Sequence, residues 1–132
     1  MKLSSKTEYG IRALVHLAEH SQGVPYSLQL ISEKEQIPYA YLEKIFGILK
    51  KKGIVVSQKG PKGGYALARP VEQISCKELC EVLEGDISLF SNLISPEKHA
   101  LHCKSHLLFA LVQNAFSESL HAITLKDLMQ HS

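Results

Sequence analysis

Gln58-Lys59-Gly60-Pro61-Lys62-Gly63-Gly64-Tyr65 is a glycine-rich, lysine-bearing loop between two strand-like pieces. It follows closely on a segment that ends Leu49-Lys50-Lys51-Lys52-Gly53. Upstream, Leu42, Ile45, Phe46 and Leu49 recur at helical spacing, and Gly53 stops that helix. Ile54 to Ser57 is strand-like and Tyr65 to Ala68 returns as its hairpin partner. A helix followed by a basic two-stranded flap is the pattern of a winged helix-turn-helix, a fold that holds duplex DNA.

The segments on either side fit that reading. Ile11, Leu14, Val15 and Ala18 predict a first helix over Ser5–His20, closed by Gln22-Gly23-Val24-Pro25. Ser27 is placed to cap a short second helix bearing Leu28, Leu30 and Ile31. Gln36-Ile37-Pro38 is a tight turn, with Pro38 suited to the first position of the third helix. Ser75-x-x-Glu78 reads as a capping box opening a fourth helix that ends at Gly85. Residues 86–96 read as irregular, a long helix is expected over Glu97–Ala122, and Thr124 is expected to cap a last short helix ending near Gln130. The expected fold is mainly α with a small β-hairpin wing. Residues 1–85 form the DNA-binding winged helix-turn-helix, and residues 86–132 form a loop and a long dimerisation and sensor helix.

Charge sharpens the functional reading. Between Pro38 and Pro70 lie seven basic residues (Lys44, Lys50, Lys51, Lys52, Lys59, Lys62 and Arg69) and one acid, Glu43, a local charge of +6. The whole chain carries +2, so the remainder carries −4. A basic patch on an otherwise acidic molecule suits a polyanion, because each phosphate contact releases condensed counterions. Alone, such a patch reads better as a solvated lysine face; its place on a reading helix and wing reverses that in favour of DNA. On the third helix, the face opposite the apolar stripe shows Tyr39, Ala40, Glu43, Lys44 and Gly47. Ala40 can touch a thymine methyl, Glu43 can accept from a cytosine amino group, and Lys44 can reach guanine or phosphate. Tyr39 stands at the helix start, where phosphate contacts are common, while Tyr41 turns toward the apolar stripe. In the wing, Lys59 and Lys62 can follow the phosphate backbone or dip into the minor groove. Gly63 and Gly64 permit positive φ and close approach of the backbone to phosphate.

The start, Met1-Lys2-Leu3-Ser4, lacks the apolar core of a secretory signal, and the longest strongly apolar run, Leu107 to Val112, is far short of the ~20 residues a spanning helix needs. A cytoplasmic protein without membrane partners is expected, its three cysteines thiols or metal ligands rather than disulfides. In the long helix, Leu107, Leu108, Leu111, Val112 and Ala115 give an apolar surface on more than one side. Such a helix must be buried on more than one side, so a homodimer is expected.

Cys76 and Cys80 stand at i, i+4 and share a stripe with Leu79 and Leu83, which reads either as core or as a dithiol or ligand pair. His99, His102, Cys103 and His106 fall at i, i+3, i+4, i+7, on one face of a helix. Imidazole and thiolate are good ligands for zinc, iron or haem; a polar helix start with incidental histidines reads the same way. Cys103 near His106 also admits a nucleophile and base, but no orienting group or oxyanion motif accompanies them, so an enzyme is not expected.

The order Lys2-Leu3-Ser4, Tyr9-Gly10-Ile11-Arg12-Ala13-Leu14, Tyr41-Leu42-Glu43-Lys44-Ile45 and Lys59-Gly60-Pro61-Lys62-Gly63-Gly64-Tyr65-Ala66-Leu67 resembles the Rrf2 family of bacterial transcription regulators. So does Ile74-Ser75 opening a helix that ends Val82-Leu83-Glu84-Gly85, and the resemblance covers nearly the whole chain. It implies a winged-helix dimer whose long C-terminal helices pack together. Family members include iron–sulfur cluster, nitric-oxide, iron and cysteine-metabolism regulators. Cluster-binding members carry three cysteines in the loop before and at the start of the long helix, the last within Cys-x-x-His in some. Cys103-Lys104-Ser105-His106 matches that last piece, whereas residues 86–102 contain no cysteine. In some relatives an acid in the position of Glu8 reaches a cluster in the partner subunit, which makes Glu8 a further candidate ligand.

The resulting expectation is a dimeric, sequence-specific DNA-binding repressor. Its candidate signals are a metal, an iron–sulfur cluster, thiol oxidation, a small molecule or a protein partner. The alternative is a winged-helix protein-interaction module without DNA reading, against which the lysines argue.

Overall fold

The structure is a computed structural model and describes residues 3–89 and 103–129, with the side chain of Cys103 left aside. Helix α1 spans Ser5–His20, α2 Leu28–Glu35 and α3 Tyr39–Lys51. The hairpin is β1, Val55–Gln58, with β2, Gly64–Leu67. A single 3-10 turn at Val71–Gln73 leads to α4, Cys76–Glu84. Helix α5 is described over Cys103–Ala122 and α6 over Leu125–Met129. The part of the expected long helix before Cys103 lies outside the described residues, as do His99 and His102.

Local chemistry accounts for the helix ends. The Ser27 hydroxyl accepts from the amides of Gln29 and Leu30 and so caps α2. Gln36 ends that helix in the left-handed region at φ 57°, and Ile37, which follows, is wholly buried. Pro38 is the N-cap of α3 rather than its first helical residue, since its ψ of 132° is still extended; its carbonyl accepts from Tyr41 and Leu42. Gly53, at φ 76°, turns the chain out of α3. The Ser75 hydroxyl accepts from the Glu78 amide, but the second arm of the expected capping box goes elsewhere: the Glu78 carboxylate pairs with Arg69. A reciprocal box forms instead at α6. There the Thr124 hydroxyl accepts from the Asp127 amide, and the Asp127 carboxylate accepts from the Thr124 amide at 2.9 Å.

The core sits where α1, α3 and α4 meet. Ala13, Leu14, Leu17, Leu42, Ile45, Phe46, Leu49, Leu79 and Leu83 are buried in one cluster. Each of the larger side chains among them contributes roughly 1.5–3 kcal/mol of transfer free energy. Gly10 lets α4 approach: a Cβ there would lie 2.6 Å from a Leu83 methyl. Leu125 of α6 joins the same cluster. It is carried there by an antiparallel bridge between Ser75 and Thr124, with the Cys76 amide donating to Ile123 at 2.7 Å and the Leu125 amide donating to Ile74 at 2.9 Å. Helix α5 packs along α4. Among the described residues no helix is long and apolar enough to cross a membrane.

Glu84 ties the end of α4 to the start of α1. Its carboxylate accepts from the Ser4 amide at 3.1 Å, the Ser4 hydroxyl at 3.0 Å and the Thr7 hydroxyl. The Thr7 hydroxyl bond, followed by the Ser4 amide bond, holds this carboxyl below its ordinary value. A lowered carboxyl stabilises the folded chain above the unfolded-state value, and that contribution disappears as pH falls through the folded value. Wild-type protein is therefore expected to be more stable to urea than Glu84→Gln at neutral pH. The difference should shrink toward zero as pH is lowered below the ordinary glutamate range, and a constant difference across that range would show that the carboxylate is not the source.

Candidate nucleic-acid interface

Helix α3 buries Leu42, Ile45, Phe46 and Leu49 completely. Its other face must then point outward, and Tyr39, Ala40, Glu43 and Lys44 are all exposed there. Tyr41 lies between the faces, half-buried, with its ring edge-on to Tyr9 at 5.5 Å between centroids. That contact gives Tyr41 the structural role expected of it.

The hairpin is antiparallel, with Val55 opposite Leu67 and Gln58 opposite Gly64. Its turn needs glycine for reasons internal to the protein. Gly60 has φ 109°, and the Gly63 amide donates to Gly60 at 2.9 Å. A Cβ on Gly63 would stand 2.1 Å from the Gln58 carbonyl oxygen, and one on Gly64 would stand 2.3 Å from that of Tyr26. The close neighbour that excludes a side chain at both positions is protein backbone. Phe46 and Tyr65 meet edge-to-face with centroids 5.0 Å apart, which fastens the wing to α3.

The start of α2, the start of α3 and the wing border one cleft of about 250 Å³ lined by Ser27, Leu28, Gln29, Tyr39, Glu43, Gly63, Gly64 and Tyr65. Glu43 therefore faces the wing. Burial first, then the nearby Glu43 carboxylate and Tyr39, push the Tyr65 phenol up, so its hydroxyl keeps its proton at neutral pH. A second depression, about 440 Å³, is lined by Lys6, Pro38, Ala40, Tyr41, Lys44 and Ile45. That Lys6 and Lys44 border one depression is something helical periodicity does not show, because it depends on α1 packing on α3.

Ion pairing separates the seven basic residues of this region. Arg69 is engaged by Glu78 and so leaves the free patch. The other ion pairs among the described residues join Arg12 to Glu8 and Glu35, His16 to Glu35, and Lys126 to Glu72. Lys44, Lys50, Lys51, Lys52, Lys59 and Lys62 are exposed and, among the described residues, have no carboxylate partner.

The profile of the Rrf2 family, described as iron-dependent transcriptional regulators, matches residues 3–131. The chain belongs to the Rrf2 family. A relative in Haemophilus influenzae, named as an HTH-type transcriptional regulator, is 36% identical over 130 residues, covering 98% of this chain and 87% of the relative. The HTH-type transcriptional regulator IscR of Vibrio campbellii is 33% identical, covering 98% of this chain and 78% of IscR. The structure of CymR, the global cysteine regulator of B. subtilis, superposes with a TM-score of 0.84 at 30% identity, covering 100% of this chain and 98% of CymR. The fold is thus the winged helix of Rrf2 regulators, and the chain is a DNA-binding transcriptional regulator of a non-enzymatic family.

The residues read as metal ligands do not converge among those described. Glu8 is exposed on α1 and lies 3.5 Å from Arg12. His106 is half-buried on α5; the Cys103 side chain, His99 and His102 lie outside the described residues. No group of three or more His, Cys, Asp or Glu side chains among the described residues is placed to hold a metal ion. The chain also lacks the two loop cysteines that the family resemblance ties to a cluster. These donors do not fit the three-thiolate cluster site of such relatives.

Cys76 and Cys80 are buried on the core side of α4. Burial raises both thiols, with Cys80 and Asp127 adding to the effect at Cys76, and Glu84 and Glu81 at Cys80. Reactivity follows the thiolate, so both should be poor nucleophiles. Peptide mapping after brief iodoacetamide treatment at pH 7.5 should show Cys76 and Cys80 labelled at least about tenfold more slowly in native protein than in urea. Equal rates in the two states would place them outside the core.

Proposed function

We propose that this regulator is a dimeric repressor that reads a palindromic operator through α3 and grips the flanking phosphates with its wing. The observation that carries the reading is the common cleft: Glu43 and Tyr39 of α3 and Gly63 and Gly64 of the wing face one another across it. A duplex lying along α3 meets Ala40, Glu43 and Lys44 at base edges, and Tyr39 and the wing's Lys59 and Lys62 at phosphates. Those lysines have no carboxylate partner among the described residues, which is what counterion release requires of them. A dimer bound over a promoter excludes the polymerase, so repression is the direct outcome.

The second subunit is supported by α5. Leu107, Leu108 and Leu111 are each more than half exposed, and Val112 is 40% exposed. Together with Ala115 they leave an apolar face uncovered by the chain's own domain. A matching helix from a second copy would cover it and set two reading heads about a two-fold axis. Any metal or thiol response we assign to Cys103 and His106 at the start of α5, with His99, His102 or the partner's first-helix acid, Glu8, assisting. A change there acts on the helix that fixes the angle between the two heads. Residues 1–85 thus read DNA, and residues 86–132 join and adjust the readers.

Three experiments test this. Lys59→Ala combined with Lys62→Ala should weaken binding to specific and random duplexes alike and reduce the slope of log affinity against log salt by roughly 2, about 0.9 per lost phosphate contact. Glu43→Ala should instead change the motif recovered by binding-site selection, and an unchanged motif would remove Glu43 from base reading. Leu108→Glu with Leu111→Glu should give a folded monomer in sedimentation, because both side chains are already solvent-exposed in the single chain. A folded dimer after both changes would put the interface elsewhere.

A further inference from the structure

Tyr26 stands between α1 and α2, and the reading of α3 and the wing gives it no role. Its backbone pairs with Tyr65 in both directions: the Tyr26 amide donates to the Tyr65 carbonyl and the Tyr65 amide to the Tyr26 carbonyl, each at 2.8 Å. The two-stranded wing therefore has a third, one-residue strand on the free edge of β2. The pairing is close enough to exclude a side chain from Gly64, whose φ of 147° and lack of Cβ it requires. The Tyr26 hydroxyl in turn lies 3.0 Å from Nε2 of His16, a residue of α1 only 5% exposed.

The connection does not stop at His16. Nδ1 of His16 is 2.8 Å from the carboxylate of Glu35, the last residue of α2. Arg12 donates to the Glu35 carbonyl, and its Nε lies 3.7 Å from the Glu35 carboxylate. The His20 ring stacks on His16 at 4.2 Å. Both His16 ring nitrogens are engaged, which leaves no lone pair for a metal. What the chain of contacts joins is β2 of the wing near its turn-side end, the buried side of α1, and the end of α2 where Gln36 turns the backbone into α3.

We propose that Tyr26 sets the angle of the wing to the reading helix and that His16 is the positioning residue that fixes Tyr26. The inference rests on the wing lysines touching DNA, as proposed above. A hairpin with strands this short is marginal by itself. The Phe46–Tyr65 contact restrains one side of β2, and the Tyr26 bridge restrains its edge. A buried imidazole then fixes the far end of the Tyr26 ring, so the hairpin is held to the same scaffold that carries α3. Lys59 and Lys62 at the tip are thereby presented at a set distance from the phosphates.

The test is a double-mutant cycle on the full chain. Tyr26→Phe keeps the ring and the backbone bridge and removes only the hydroxyl. It should weaken operator binding about fivefold, the equivalent of one neutral hydrogen bond. The same change in the Lys59→Ala, Lys62→Ala background should cost nothing further, because a wing without its lysines gains nothing from correct placement. His16→Leu should repeat the pattern, and His16→Gln, whose amide can still meet the phenol, should retain more affinity. Hydrogen exchange of the Tyr65 amide should quicken in Tyr26→Phe, a readout independent of DNA. Equal losses in both backgrounds, or unchanged exchange at Tyr65, would overturn the proposal. If the lysine variant is weakened but Tyr26→Phe binds as wild type, this inference alone falls. If the lysine variant itself binds as wild type, the wing reading falls and takes the inference with it.

Discussion

Phe46 is wholly buried under α3, and its ring meets the edge of Tyr65 in the wing. The candidate interface depends on that placement. With Leu42, Ile45 and Leu49 it commits one side of α3 to the core, so the helix cannot rotate without exposing four large apolar side chains. Tyr39, Ala40, Glu43 and Lys44 face outward as a consequence. The same ring bears on one side of β2, so the packing that turns α3 outward also helps to place the wing, beside the Tyr26 bridge on the strand's edge.

The distribution of charge follows from the same packing. Arg69 leaves the hairpin close to α4, where Glu78 neutralises it. Arg12 is drawn toward Glu35 at the end of α2. The lysines of α3 and the wing project where no acidic element packs, and Glu43 is the only acid of the region among them. A sequence count weights all seven basic residues equally; the fold assigns one to internal pairing and leaves six toward solvent.

The C-terminal segment is bound to the reader at its end as well as along its length. α5 packs along α4, and the bridge between Ser75 and Thr124 places Leu125 in the core. The Leu89 amide donates to the Gln113 side chain at 2.7 Å, so the chain leaving α4 is also attached to α5. A displacement of α5 therefore bears on α4, and through Glu84 and its bonds to Ser4 and Thr7, on the start of α1.

Much of this was written in local sequence. The stripe of α3, the Ser27 and Ser75 caps, Gly53 and Gly85 at helix ends, and the glycine-lysine loop each follow from forces between residues a few positions apart. Such forces act wherever the chain lies, so periodicity and capping chemistry suffice to read them. They extend to the outward face of α3, which is the complement of its buried stripe, and to the core placement of Cys76 and Cys80 beside Leu79 and Leu83. The rest depended on distant segments meeting. Tyr26 against Tyr65, Lys6 and Lys44 at one depression, Glu78 turned from its own helix cap to Arg69, and Leu125 in the core bring together residues with no local periodic relation. Their energies arise only once α1, α4 and the hairpin have packed. Local sequence thus determined which elements form and which face each one buries, and tertiary structure alone decided which edges and charges those faces bring together.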